Sequence, residues 1–147
     1  MWVNHHAVFG NLADVNRTLL FLNLLLLFFV VAIPFATSTF ADYLRVGGPD
    51  ASLAAAIYEG VFTGMGLSFA LLFFWAVRGG HMKAPLTSGA AKRATARFGI
   101  GNLAYFAAIG IAFVSPVSSL VISGLVAVYY VFEQTPGGPA QPSGNQA

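Results

Sequence analysis

From about Thr18 to Phe40 the chain is apolar at almost every position, interrupted by Asn23 near the start and Pro34 late in the run. A second apolar block covers about Leu53 to Val77. The stretch from Phe98 to Phe132 is apolar for about 35 residues, too long for one ordinary membrane span of about 20. A helix rises about 1.5 Å per residue, so about 20 residues cross a hydrocarbon core of about 30 Å. The first two blocks each suffice. The third divides at Ser115-Pro116, because proline suits the first turn of a new helix, giving spans of about 98–114 and 116–132. The pattern predicts an all-α integral membrane protein. Its residues 18–132 form a membrane domain of four transmembrane helices (about 18–40, 53–77, 98–114 and 116–132) arranged as two antiparallel hairpins.

Polar and special residues inside the spans refine this picture. An unpaired amide in lipid is costly, so Asn23 is expected to face protein and hydrogen-bond to a neighbouring helix. Pro34 removes a backbone hydrogen bond and is expected to kink the first span, with Thr37, Ser38 and Thr39 re-satisfying backbone groups beyond it. Gly60 and Gly64 form a GxxxG pair suited to close helix packing. Glu59 lies towards the outer end of the second span, where a snorkelling carboxylate is favoured over a buried, ion-binding one. Asn102, Ser119 and Ser123 are expected to serve packing, and Tyr129 and Tyr130 to anchor the last span at the interface.

The connecting segments set the topology. Trp2, His5, His6 and Phe9 fall at i, i+3, i+4 and i+7, one face of a helix, so residues 1–17 are expected to hold the end of a further, preceding helix and a connector. Asp14 and Arg17 in that connector are spaced for a weak local ion pair. Residues 41–52, with Gly47, Gly48, Pro49 and Asp50, are expected to form a turn-rich loop. Residues 78–97 form the main polar loop, holding Arg78, Lys83, Lys92, Arg93 and Arg97 among the chain's 7 basic residues. The positive-inside rule makes that loop cytoplasmic, which places both termini in the cytoplasm of a multi-pass protein of the cell membrane. The Pro- and Gly-rich tail, 133–147, is expected to be disordered.

Composition excludes several classes of function. With 57% hydrophobic and 8% charged residues the chain lies far from soluble domains. It has no cysteine, so thiolate metal sites and cysteine nucleophiles are absent. Adjacent His5 and His6 cannot share an ion from one helix face, and His81 is remote, so no metal site is expected. No catalytic grouping, phosphate loop or cofactor motif stands out, so an enzyme is not expected. The basic residues form no groove with interleaved aromatics, which excludes nucleic acid as a partner. Because the spans hold almost no deep ionisable group, a passive pore is favoured over a pump. A proton-coupled carrier would require Glu59 to be buried.

The motif WVNHH, the short connector with Asp14 and Arg17, and the helix LLFLNLLLLFFVVAIPF together resemble the TMEM175-type potassium channel family, with weaker similarity continuing to Phe132. The resemblance implies six membrane helices per unit, cytoplasmic termini and a homotetrameric potassium leak channel in the bilayer. The four spans correspond to the family's third to sixth helices, and Trp2 to Phe9 to the end of its second. It also implies a channel-motif network of Trp2, His5 or His6, and Asn23, which in the family packs against an Arg-x-x-x-Phe-Ser-Asp motif on a pore-lining first helix. That helix has no counterpart in the sequence, so an N-terminally truncated family member is expected, one that does not conduct potassium alone. The alternative reading is a small four-span interaction or assembly protein without transport activity of its own.

Overall fold

The computed structural model describes Phe9, Gly10, Leu12, residues 16–83 and residues 88–132. Among these, four helices follow one another: α1 (Arg17–Val46), α2 (Gly48–Arg78), α3 (Ser88–Ala112) and α4 (Pro116–Phe132). α1 packs chiefly on α2, α3 packs on α2 and α4, and α2 packs substantially on all three others. α2 is therefore the axis of the bundle. The protein is an all-α membrane protein, and α1 and α2 are each long and apolar enough to cross a membrane.

The first hairpin turns far more tightly than the sequence suggests. The loop expected over 41–52 is helical except at Gly47, so α1 runs six residues beyond Phe40 and α2 starts five residues before Leu53. Ala41 to Val46 continues α1 because these residues carry no helix-breaking chemistry. The reversal falls on Gly47 and Gly48, with φ of 76° and 74°, a backbone region that costs glycine little. The Gly47 N–H closes α1 on the Tyr43 carbonyl at 2.9 Å, and Pro49 occupies the opening turn of α2, where its missing N–H is not needed. Turn chemistry spread over a dozen residues thus collapses onto two.

The polar loop of 78–97 is likewise shorter than expected. α3 begins at Ser88, ten residues before Phe98, because the intervening Ala, Lys and Arg residues are strong helix formers. Lys92 and Arg93 consequently sit on the first turns of α3. At the other end of this connection the Gly79-Gly80 turn lays the His81 ring flat on Trp75, with centroids 4.1 Å apart and planes 15° apart. Between α3 and α4 the chain reverses over residues 113–115. The Ser115 hydroxyl caps α4 by accepting from the Ser118 N–H at 3.3 Å, and Pro116 is the first helical residue. The tail expected to be disordered lies outside the described residues.

One seam holds α1 to the bundle. Its buried residues Leu19, Leu26, Ala36 and Phe40 interleave with the partly buried Leu22, Phe29 and Ile33 at alternating spacings of three and four, the stripe of a coiled-coil helix. The rest of its circumference is also apolar but exposed, as at Phe21, Leu24, Phe28, Val31 and Phe35. A helix that is apolar all round yet packed along one stripe suits a lipid surround or further protein contacts.

Two separate cores lie along α2. Near Arg78, Leu19, Leu26, Met65, Phe69, Leu72 and Phe73 form a large-residue cluster that also buries Leu12 from the N-terminal connector. Leu12 pairs there with Met82 through an isolated backbone bridge. Near Gly47 the cluster is small: Phe40, Ala54, Ala55 and Ala112.

Candidate functional site

The four residues that the resemblance joins in a network divide between described and undescribed parts of the chain. Trp2, His5 and His6 lie outside the described residues, as does Asp14. Asn23 is half-buried on α1, beside the Leu22–Leu26 part of the seam, and is not without a partner. Asn16 opens the helix that carries it, its side chain accepting from the Leu19 N–H at 3.0 Å. Pro34 sits on the exposed side of an unbroken α1, and the Thr37 hydroxyl donates to the Ile33 carbonyl at 2.8 Å.

The two glycines of the GxxxG pair have different surroundings. A Cβ on Gly64 would stand 2.2 Å from the Phe29 ring, so α1 delivers that ring directly onto the α2 backbone. A Cβ on Gly60 would meet nothing within 4 Å among the described residues, so within this chain only Gly64 marks a close approach. The second close approach is at Gly66, where a Cβ would lie 2.5 Å from Oδ1 of Asn102 on α3. Asn102 donates its amide to the Phe98 carbonyl at 3.0 Å, which holds its oxygen against Gly66.

Glu59 requires a correction. It is fully buried at 0% exposure, not snorkelling, and Ser123 on α4 shares a hydrogen bond with its Oε2. Its Oε1 has no hydrogen-bond partner among the described residues. The reason is geometric: α4 packs on α2 with Ser123 set against Glu59, on a buried side of α2 that also carries Ala51, Ala54 and Ala55. One turn further along α2 the Thr63 hydroxyl is used on the Glu59 carbonyl at 2.8 Å, and one turn back along α4 the Ser119 hydroxyl is used on the Pro116 carbonyl at 2.8 Å. A row of rings, Phe40, Tyr58, Phe62 and Tyr105, runs beside this site from α1 to α3 with centroid spacings of 5.3, 4.8 and 5.8 Å. In the sequence Ser123 suggests only a packing role. The available signal was the i, i+4 pair Ser119 and Ser123 on a helix with no charged residue.

Known proteins fit this arrangement. The family model described as the endosomal/lysosomal potassium channel TMEM175 matches residues 1–34, the stretch that contains Trp2, His5, His6, Asn23 and Pro34. A potassium channel of Streptomyces collinus is 45% identical over 137 residues, covering 92% of this chain and 66% of that protein. This chain belongs to the TMEM175 family. A second family member, a potassium channel of Chamaesiphon minutus, is 32% identical over 131 residues, covering 88% of this chain and 64% of its own length. The crystal structure of a lysosomal potassium-selective channel TMEM175 homolog from the same organism superposes with a TM-score of 0.75 at 30% identity, covering 89% of this chain and 64% of that one. The chain thus spans about two thirds of the length of the relatives it matches. These relatives do not favour the reading as an assembly protein without transport activity.

Proposed function

We propose that this chain is a potassium channel subunit that takes part in passive potassium conduction as a homo-oligomer, a tetramer by the family resemblance. The observation that carries the reading is 45% identity to a potassium channel, extending over 92% of the chain rather than over one motif. The bundle itself supports a pore outside its own interior. The described buried polar residues are few, Glu59, Thr63, Ser68, Ser119 and Ser123, and their hydroxyls are spent on carbonyls of their own helices or, at Ser123, on Glu59, rather than offered to a continuous polar lining. Conduction therefore runs between subunits, and the exposed apolar faces of α1 supply the contacts to lipid and neighbouring copies. The basic residues at Arg78, Lys83, Lys92 and Arg93 face the cytoplasm of the cell membrane, and the chain crosses four times.

The resemblance assigns the pore lining to the family's first helix, to which none of α1–α4 corresponds. On this reading the 147 residues alone pass little potassium, and supplying that helix restores conduction. The test is potassium efflux from liposomes holding the 147-residue chain or the same chain fused behind a family first helix with the Arg-x-x-x-Phe-Ser-Asp motif. Background efflux from the first and potassium-selective efflux from the second are expected. Selective efflux from the 147 residues alone would refute the assignment of the pore, and a fusion that assembles without conducting would refute the channel reading.

A further inference from the structure

We propose that Glu59 and Ser123 form a buried proton-binding site that fastens α4 to α2, with Glu59 held as a neutral carboxylic acid. Glu59 lies nine residues beyond Asp50, about 13 Å along α2, and is fully enclosed. Its one polar side-chain partner among the described residues is Ser123, 64 residues away in the chain. The hydroxyls of Thr37, Thr63 and Ser119 and the amide of Asn102 bond to backbone within their own helices, whereas Glu59–Ser123 joins two helices.

Among the described residues, no charged group is paired with Glu59 to compensate its ionised form. The charged or titratable groups described on the packed helices are Arg17, Asp42, Tyr43 and Arg45 of α1, Lys92, Arg93 and Tyr105 of α3, and Tyr129 of α4; Tyr58 adjoins it on α2. None of the arginines and lysines among them forms an ion pair with Glu59 among the described residues. Thr63 and Ser119, one turn away on either helix, have their hydroxyls committed to backbone carbonyls. A carboxylate enclosed in apolar surroundings with a single hydroxyl donor is strongly disfavoured, while a carboxylic acid is neutral and supplies its own donor. Two arrangements conserve the bound proton. Either the acid O–H donates to Oγ of Ser123, or the Ser123 O–H donates to Oε2 while Oε1, otherwise unpartnered, carries the proton. Releasing the proton leaves a charge between α2 and α4 and loosens their contact.

Infrared difference spectroscopy of the full 147-residue chain in lipid tests this, whether or not the chain conducts. Only 5 Asp and Glu residues are present, so a carboxyl band can be assigned by substitution. At neutral pH the chain is expected to show a protonated-carboxyl C=O band that is absent in E59Q and shifts to higher frequency in S123A, where the hydrogen bond is lost. Alkaline titration is expected to remove the band and to speed amide exchange in α4, with no such change of exchange in E59Q. Carboxylate bands from Glu59 at every pH would overturn the proposal. So would replacement of the protonated band by carboxylate bands when potassium is added at fixed pH, which would make this a metal-cation site. If E59Q does not fold, the band shift in S123A decides alone: its absence overturns the proposal.

Discussion

The two ends of the bundle are built on opposite principles. Near Arg78, α1 and α2 interlock through large side chains, with Phe69 and Leu72 almost fully enclosed and Phe98 of α3 set against Phe69 and Phe73 at 5.2 and 5.3 Å. Near Gly47 the buried cluster is three alanines and Phe40, and one acid is sealed inside. Apolar side chains gain little by leaving lipid for protein, so membrane helices associate through packing and polar contacts. The large-residue end uses packing alone. The small-residue end adds a buried hydrogen bond between α2 and α4.

This contrast predicts opposite tolerances to substitution. Phe69→Ala should be the most damaging, leaving a cavity at the large-residue end and costing about 3–5 kcal/mol in unfolding measured in detergent micelles. Ala55→Leu should cost about 1–3 kcal/mol by forcing α2 away from its neighbours at the other end, although it adds apolar bulk. A smaller loss there than in a matched exposed position such as Ile57→Leu would contradict the small-residue account. Gly64→Ala should also destabilise by about 1–3 kcal/mol, because its methyl meets the Phe29 ring, whereas Gly60→Ala should be neutral or stabilise by up to about 1 kcal/mol through helix propensity. Equal effects at the two glycines would restore them as a single motif. The smallest loss is expected at Gly66→Ala, about 1 kcal/mol, and the same change in an Asn102→Ala background should cost less, since the clashing oxygen is gone.

Local chemistry explains which of these features could be read from the sequence. The start of α4 at Ser115-Pro116 needs only a capping hydroxyl and a proline, both visible in the chain. The apolar runs that become α1 and α2 depend on composition over a span, so their existence is legible though their ends are not. Helix ends depart from the apolar pattern where polar residues are compatible with helix, at Ala41 to Val46 and from Ser88 onwards. The fate of Glu59 was illegible for a different reason. Whether it reaches water depends on α4 returning over α2, a contact spanning 64 residues that no local pattern encodes. The same holds for Gly60 and Gly64, which look alike in sequence and differ only in whether Phe29 arrives.

The proposed role as a potassium channel subunit has one decisive consequence, a preference for potassium over sodium. The most direct measurement is the reversal potential across a planar bilayer with potassium on one side and sodium on the other, using the chain joined to the family's first helix. A reversal potential displaced strongly in the direction that favours potassium is predicted. A reversal potential near zero, with sodium and potassium passing equally, would contradict it.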